Sequence, residues 1–168
     1  RALTYNPDYI DSLNNLGVVL NDLGEFNDAV KNYERAIAIN PNYAEAYNNL
    51  GVTYNKIGCL EEAAESYKKA LTINEDYADA YYNLGVVLIK LGQIHRAIDS
   101  YKKALNINPN NADTHNNLGI AFAELELLDD AIKCYHNAIA IQPELASPYN
   151  NLGHTLCKLH RYQEAIIS

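Results

Sequence analysis

The chain has 168 residues, 48% of them hydrophobic, with 13 basic against 21 acidic side chains and a formal net charge of -8. That balance argues against a nucleic-acid surface, which ordinarily carries a basic stripe, and no apolar run approaches the roughly 20 residues of a membrane span. Cys59, Cys134 and Cys157 are odd in number and form no C-x-x-C pair, as expected of reduced thiols and a cytoplasmic address. An Arg at the start and the absence of any Met point to a segment of a longer chain.

Residues 1–9 hold a short apolar piece closed by Asn6-Pro7, which is matched later by Asn40-Pro41, Asn108-Pro109 and Gln142-Pro143. Proline lacks an N–H and restricts the residue before it, so each pair stops a helix. From residue 10 the chain repeats every 34 residues. Asn-Leu-Gly ends at Gly17, Gly51, Gly85, Gly119 and Gly153, and an Ala follows each at Ala29, Ala63, Ala97, Ala131 and Ala165. The units are therefore 10–43, 44–77, 78–111 and 112–145, with a last one cut at 146–168 and residues 1–9 as the end of a preceding repeat.

Unit 44–77 shows the internal plan. Ala46, Tyr47, Leu50, Gly51, Tyr54 and Ile57 keep the i, i+3, i+4, i+7 spacing of one helical face. Gly58 breaks that helix A, and Leu60, Ala63, Ala64, Tyr67, Ala70, Leu71 and Ile73 make an antiparallel helix B. Glycine inside a helix costs about 1 kcal/mol relative to Ala, so a recurrent one implies close helix approach. Gly51 leaves room for its partner helix, while Ala63 and Ala70 leave hollows for Tyr47, Tyr54 and Tyr67. Filling the slot by Gly51→Leu should overpack it by roughly 1–3 kcal/mol. Glu75 stands where other units have Pro, so that turn has to hold without it.

These landmarks resemble the tetratricopeptide repeat. Unit 78–111 supplies Tyr81, Leu84, Gly85, Leu88, Ala97, Tyr101, Ala104 and Pro109 at the family's signature positions. The departures are His115 for a large residue, Glu126 and His160 for the turn Gly, and Pro148 in a first turn, where Pro is tolerated. The resemblance implies an all-α, right-handed superhelical solenoid of antiparallel helix pairs. Helices A would line its concave face, exposing repeat positions 2, 5, 6, 9, 12 and 13.

Position 6 is Asn15, Asn49, Asn83, Asn117 and Asn151, and position 5 is Asn14, Asn48, Tyr82, Asn116 and Asn150. A carboxamide donates and accepts, so such a ladder can grip the backbone of an extended peptide. The ladder resembles the repeat arm of O-linked sugar transferases, although a repeat-consensus residue copied by duplication would leave the same pattern. Val18, Val52, Val86 and Ile120 at position 9 add an apolar floor. The basic residues that the family uses to capture acidic chaperone tails are absent, and position 2 is acidic at Asp11, Glu45, Asp79 and Asp113.

Helix B charges such as Glu65 with Lys68 and Lys69, or Asp99 with Lys102 and Lys103, read as a solvated face. His154, Cys157 and His160 could suggest a metal site, but three ligands on one helix do not converge and the fourth ligand for zinc is missing. No catalytic motif is present, and neither cofactor nor metal is expected. Three functions remain: a non-catalytic scaffold that binds an extended peptide of a protein partner, the recognition arm of a larger glycosyltransferase-type enzyme, or a self-assembling unit. Self-assembly would run end to end, because the last helix B, Gln163 to Ser168, is too short to persist alone and exposes Ile166 and Ile167.

Overall fold

Turns recur on the sequence period, and each is built from the residue that the backbone demands there. The computed structural model describes the backbone of residues 7–167 and the side chains of residues 9–159. Among the described residues there are nine helices and no strand: α1 Pro7–Asp22, α2 Phe26–Ile39, α3 Ala44–Lys56, α4 Leu60–Ile73, α5 Ala78–Lys90, α6 Ile94–Ile107, α7 Ala112–Glu124, α8 Leu128–Ile141 and α9 Ala146–Ile167. Between A and B helices the chain passes through Gly24, Gly58 and Gly92 at φ of 80°, 83° and 71°. The next N–H reaches back five residues, as in Glu25 to the Leu20 carbonyl at 2.8 Å and Cys59 to that of Tyr54 at 2.9 Å, which closes a Schellman cap. Glu126 adopts the same turn at φ 59° without being glycine. The turn lacking Pro is held by Asn74, whose Oδ1 accepts from the Asp76 N–H at 3.1 Å.

The chain divides into two compact units, Arg1–Val87 and Leu88–Ser168, with the boundary inside α5. In the first, α1 packs on α2, α2 on α3 and α3 on α4, and α1 also touches α3. Its core is continuous from Ile10, Leu13, Ala36 and Ala46 to Ala29, Tyr33 and Leu50. Tyr54 packs against this second cluster, which joins Ala29 and Tyr33 of the preceding helix B to Leu50 of its own helix. In the second unit α6 packs on α7, α7 on α8 and α8 on α9, with α7 touching α9.

The helical glycines mark the close approach within each hairpin. A Cβ on Gly51 would lie 2.7 Å from Tyr67 Cε1, and one on Gly119 or Gly17 would lie 2.5 Å from Tyr135 or Tyr33. Gly153 meets nothing within 4 Å. Tyr33, Tyr67 and Tyr135 each follow their glycine by 16 residues, and no such ring follows Gly153 within the 168 residues. Helix α9 runs unbroken through His160, where a turn to a separate helix B was expected. At the equivalent place one repeat earlier Glu126 makes the turn without glycine, whereas His160 stays within the helix. The side chains of Ile166 and Ile167 lie outside the described residues. Pro148 sits buried in the first turn of α9. At the other end, Leu16 is 48% exposed on α1, although its counterparts Leu50 and Leu118 are 7% and 5% exposed.

Candidate functional site

The asparagine ladder is largely a bond between repeats. Asn14, Asn48 and Asn116 are 0%, 7% and 7% exposed, which corrects the expectation that position 5 opens onto a binding face. Each accepts at Oδ1 from the position 6 carboxamide of the following repeat. Asn49 Nδ2 donates to Asn14 at 3.0 Å, Asn83 to Asn48 at 3.1 Å, and Asn151 to Asn116 at 2.9 Å. A buried amide left without a partner costs about 1–3 kcal/mol, so these side chains are placed by folding requirements first. Asn14 also donates to Glu45 Oε1 at 3.0 Å, whereas Asn116 donates to Asn117 Oδ1 at 3.4 Å.

The remaining ladder residues are more open. Asn15 and Asn150 are exposed, and Asn49, Asn83, Asn117, Asn151 and Tyr82 are half-buried. A carboxamide carries two N–H groups and one carbonyl oxygen, so the pairing uses one N–H of Asn49, Asn83 and Asn151. Val52, Val86 and Ile120 are half-buried beside them and Val18 is exposed, as an apolar floor requires.

The acidic residues of position 2 are exposed on the described helices, and two of them serve the fold. Glu45 accepts from Asn14, and Asp11 accepts from the Tyr43 hydroxyl at 2.9 Å.

The family pattern described as "TPR repeat" matches residues 19–58, 54–92 and 87–126, and the pattern "Tetratricopeptide repeat" matches residues 112–145. The chain belongs to the tetratricopeptide repeat family. Among curated proteins none matches the TPR chain in sequence. Of solved structures, one of MamA is 28% identical with a TM-score of 0.85, covering 96% of this chain and 88% of that one. Another MamA structure is 30% identical with a TM-score of 0.76, covering 84% and 83%. YrrB, described as a TPR protein with an unusual peptide-binding site, is 26% identical with a TM-score of 0.77, covering 88% and 76%. The fold is thus an all-α repeat solenoid, and TPR solenoids of this kind are protein-interaction scaffolds.

A second layer of polar contacts lies under the amide pairs of this TPR chain. The Tyr33 hydroxyl bonds to Thr53, and that of Tyr135 bonds to Thr155. Burial pushes the Tyr33 phenol up to about 12, against the Thr53 bond, with the carboxylates of Asp22 and Glu45 adding to the rise. The Thr53 hydroxyl also donates to Asn21 Oδ1 at 3.1 Å. Tyr67 has no such partner, and its buried hydroxyl stands unbonded. Val87 occupies the place of Thr53 one repeat on.

The other sequence candidates do not assemble. His154 and Cys157 are both exposed on α9, and the side chain of His160 lies outside the described residues. No group of three potential ligands close enough for a metal occurs among the described residues. His115 is half-buried, with Nε2 3.0 Å from the Pro109 carbonyl and Nδ1 buried without a partner. Lys31–Asp28 and Lys133–Asp130, at 2.6 Å and 2.9 Å, and Lys68–Glu65 are exposed pairs on helices B. Lys102 lies 5.6 Å over the Phe122 ring. No described helix is long and apolar enough to cross a membrane.

Sequence reasoning missed Asn21, Thr53 and Thr155. For the threonines a signal was available, since Thr stands at repeat position 10 only in the second and last units.

Proposed function

We propose that the chain is a non-catalytic scaffold, with the repeat boundaries given by the 34-residue period, whose helices A hold an extended peptide segment of a partner protein. The observation that carries this is the pinning of Asn49, Asn83 and Asn151 by bonds between repeats, beside Val18, Val52, Val86 and Ile120. Polar groups fixed before a ligand arrives lose little freedom on binding, so they can grip a backbone at low entropic cost. The peptide-binding site in YrrB's description is in keeping with this use of the fold.

The test is selection from a displayed library of random dodecapeptides on the purified chain. Retained peptides should bind at least tenfold more weakly to Val18→Glu combined with Asn15→Ala, with helical circular dichroism unchanged. No retained peptide, or equal binding to the variant, would overturn the proposal.

A second reading, stacking with another copy, draws on the exposed Leu16 and Val19 of α1 and Leu23 in the turn after it. Sedimentation should then show concentration-dependent association that Leu16→Glu abolishes. A strictly monomeric chain removes this reading.

A further inference from the structure

The cleft between α7 and α9 has a volume of about 210 Å³ and is lined by Ile120, Ala123, Glu124, Tyr135, Thr155 and Lys158 among others. Three repeats earlier the same place, between α1 and α3, is filled from within the protein. Asn21 is 8% exposed there, and its Oδ1 accepts from the Thr53 hydroxyl, which in turn meets Tyr33. Tyr135 and Thr155 reproduce Tyr33 and Thr53, and Thr155 is buried. The chain differs at the third member, because Ala123 ends at Cβ where Asn21 carries its carboxamide. A carboxamide in Asn21's position would enter this cleft from the Ala123 wall.

We infer that this cleft is a subsite for a carboxamide side chain, Gln or Asn, of a bound peptide. The inference rests on the peptide-binding reading above and adds the residue class that the groove selects. Asn21 shows which group the Thr–Tyr pair is built to meet, a carbonyl oxygen that takes the threonine hydroxyl. The Thr155 hydroxyl already has the Tyr135 hydroxyl beside it, and Thr53 divides its single proton between Asn21 Oδ1 and the Asn49 carbonyl, each at 3.1 Å, so a ligand carbonyl adds one hydrogen bond, worth several-fold in affinity, that an aliphatic side chain forgoes. A carboxylate brings the acceptor but also a charge. Glu124 lies on the cleft wall, and Lys158, the cation beside it, already faces Glu126 at 3.7 Å. The neutral amide is the group that both the hydrogen bond and the charge accept.

The probes are N-acetyl-glutamine methylamide and its glutamate and leucine analogues, titrated into the labelled chain and followed by amide chemical shifts. The glutamine probe should shift residues 120–124 and 151–158 with at least fivefold lower Kd than either analogue. Ala123→Asn, which rebuilds the Asn21 arrangement, should abolish those shifts. Thr155→Val, which keeps the shape and removes the hydroxyl, should bring the glutamine probe down to the leucine level. Shifts of equal size with all three probes, shifts that survive Ala123→Asn, or no shifts would overturn the subsite. The peptide selection separates the two levels. Peptides retained equally by the chain and by Ala123→Asn, with no carboxamide requirement, would leave the groove standing and sink the subsite. No retained peptide at all sinks the groove reading and the subsite with it.

Discussion

The seam between α1 and α3 and the seam between α7 and α9 are the same contact made twice from nearly the same residues, once in each unit. Both have an Asn–Asn pair and a Tyr–Thr pair. The first is filled and braced throughout. Asn21 occupies the interior, Glu45 orients Asn14, and Gly51 on α3 lies under the ring of Tyr67. The second differs at the first two of these points, with Ala123 for Asn21 and Ser147 where Glu45 would be. Keeping the frame while deleting the filling turns a packing contact into a cleft, so one repeat plan can yield either a filled joint or an open cleft.

The largest effect on both seams should come from alkali. Burial holds Tyr33 up to about 12 and raises Tyr135, while an unfolded tyrosine loses its proton near 10. Above pH 10 the unfolded chain binds fewer protons than the folded one, so stability falls as pH rises. It should be fully retained below pH 10 and helical circular dichroism should be lost cooperatively between about pH 10 and 12. Burial also raises Tyr43, Tyr54, Tyr67 and Tyr77, so a flat signal across that window would show that buried phenols do not set the alkaline limit, and Tyr33→Phe beside Tyr135→Phe compares the two pairs.

Next come the glycines, where one substitution should have opposite signs. Gly51→Ala drives a methyl into Tyr67 and should cost about 1–3 kcal/mol. Gly153→Ala meets open space on an exposed helix and should gain up to about 1 kcal/mol. Urea denaturation of the two variants measures both, and two changes of the same sign would erase the contrast.

The amide pairs should matter by a similar or smaller amount. Asn49→Ala leaves the buried Asn14 Oδ1 without its donor and should cost about 1–2 kcal/mol, while exposed Asn15→Ala should stay within about 0.5 kcal/mol. The smallest expected effect is at the turn before α8. Glu126→Gly removes a left-handed non-glycine residue and should raise stability by about 0.5–1 kcal/mol, less the exposed contact with Lys158. A Tm shift upward in calorimetry checks it.

The helices and their turns were legible because they follow from local chemistry. A period of 34, Gly24, Gly58 and Gly92 as breakers, and the Ala and Tyr faces fix where each helix starts and which side it buries. His160 was not legible, because Glu126 lacks glycine at the same place and turns all the same. The ladder was only half legible. Positions 5 and 6 are neighbours about 100° apart on a helix, and a column of adjacent Asn does not reveal that one faces the next helix while the other lies beside the apolar floor. That division depends on the partner repeat supplying a donor at 2.9–3.1 Å, a long-range match that no single repeat contains. The cleft was invisible for the same reason, since Ala123 became informative only once Asn21 was seen to be bonded.

The Glu45–Asn14–Asn49 chain has a directional consequence. A carboxylate can only receive protons from its neighbours, so Asn14 must turn its nitrogen toward Glu45 and its oxygen toward Asn49, and Asn49 must answer with nitrogen. The far side of Asn49 therefore shows an oxygen. On the proposed peptide-binding reading, a strand at this seam would meet that oxygen and the second Asn49 N–H, an orientation set by Glu45, a residue one amide removed from it.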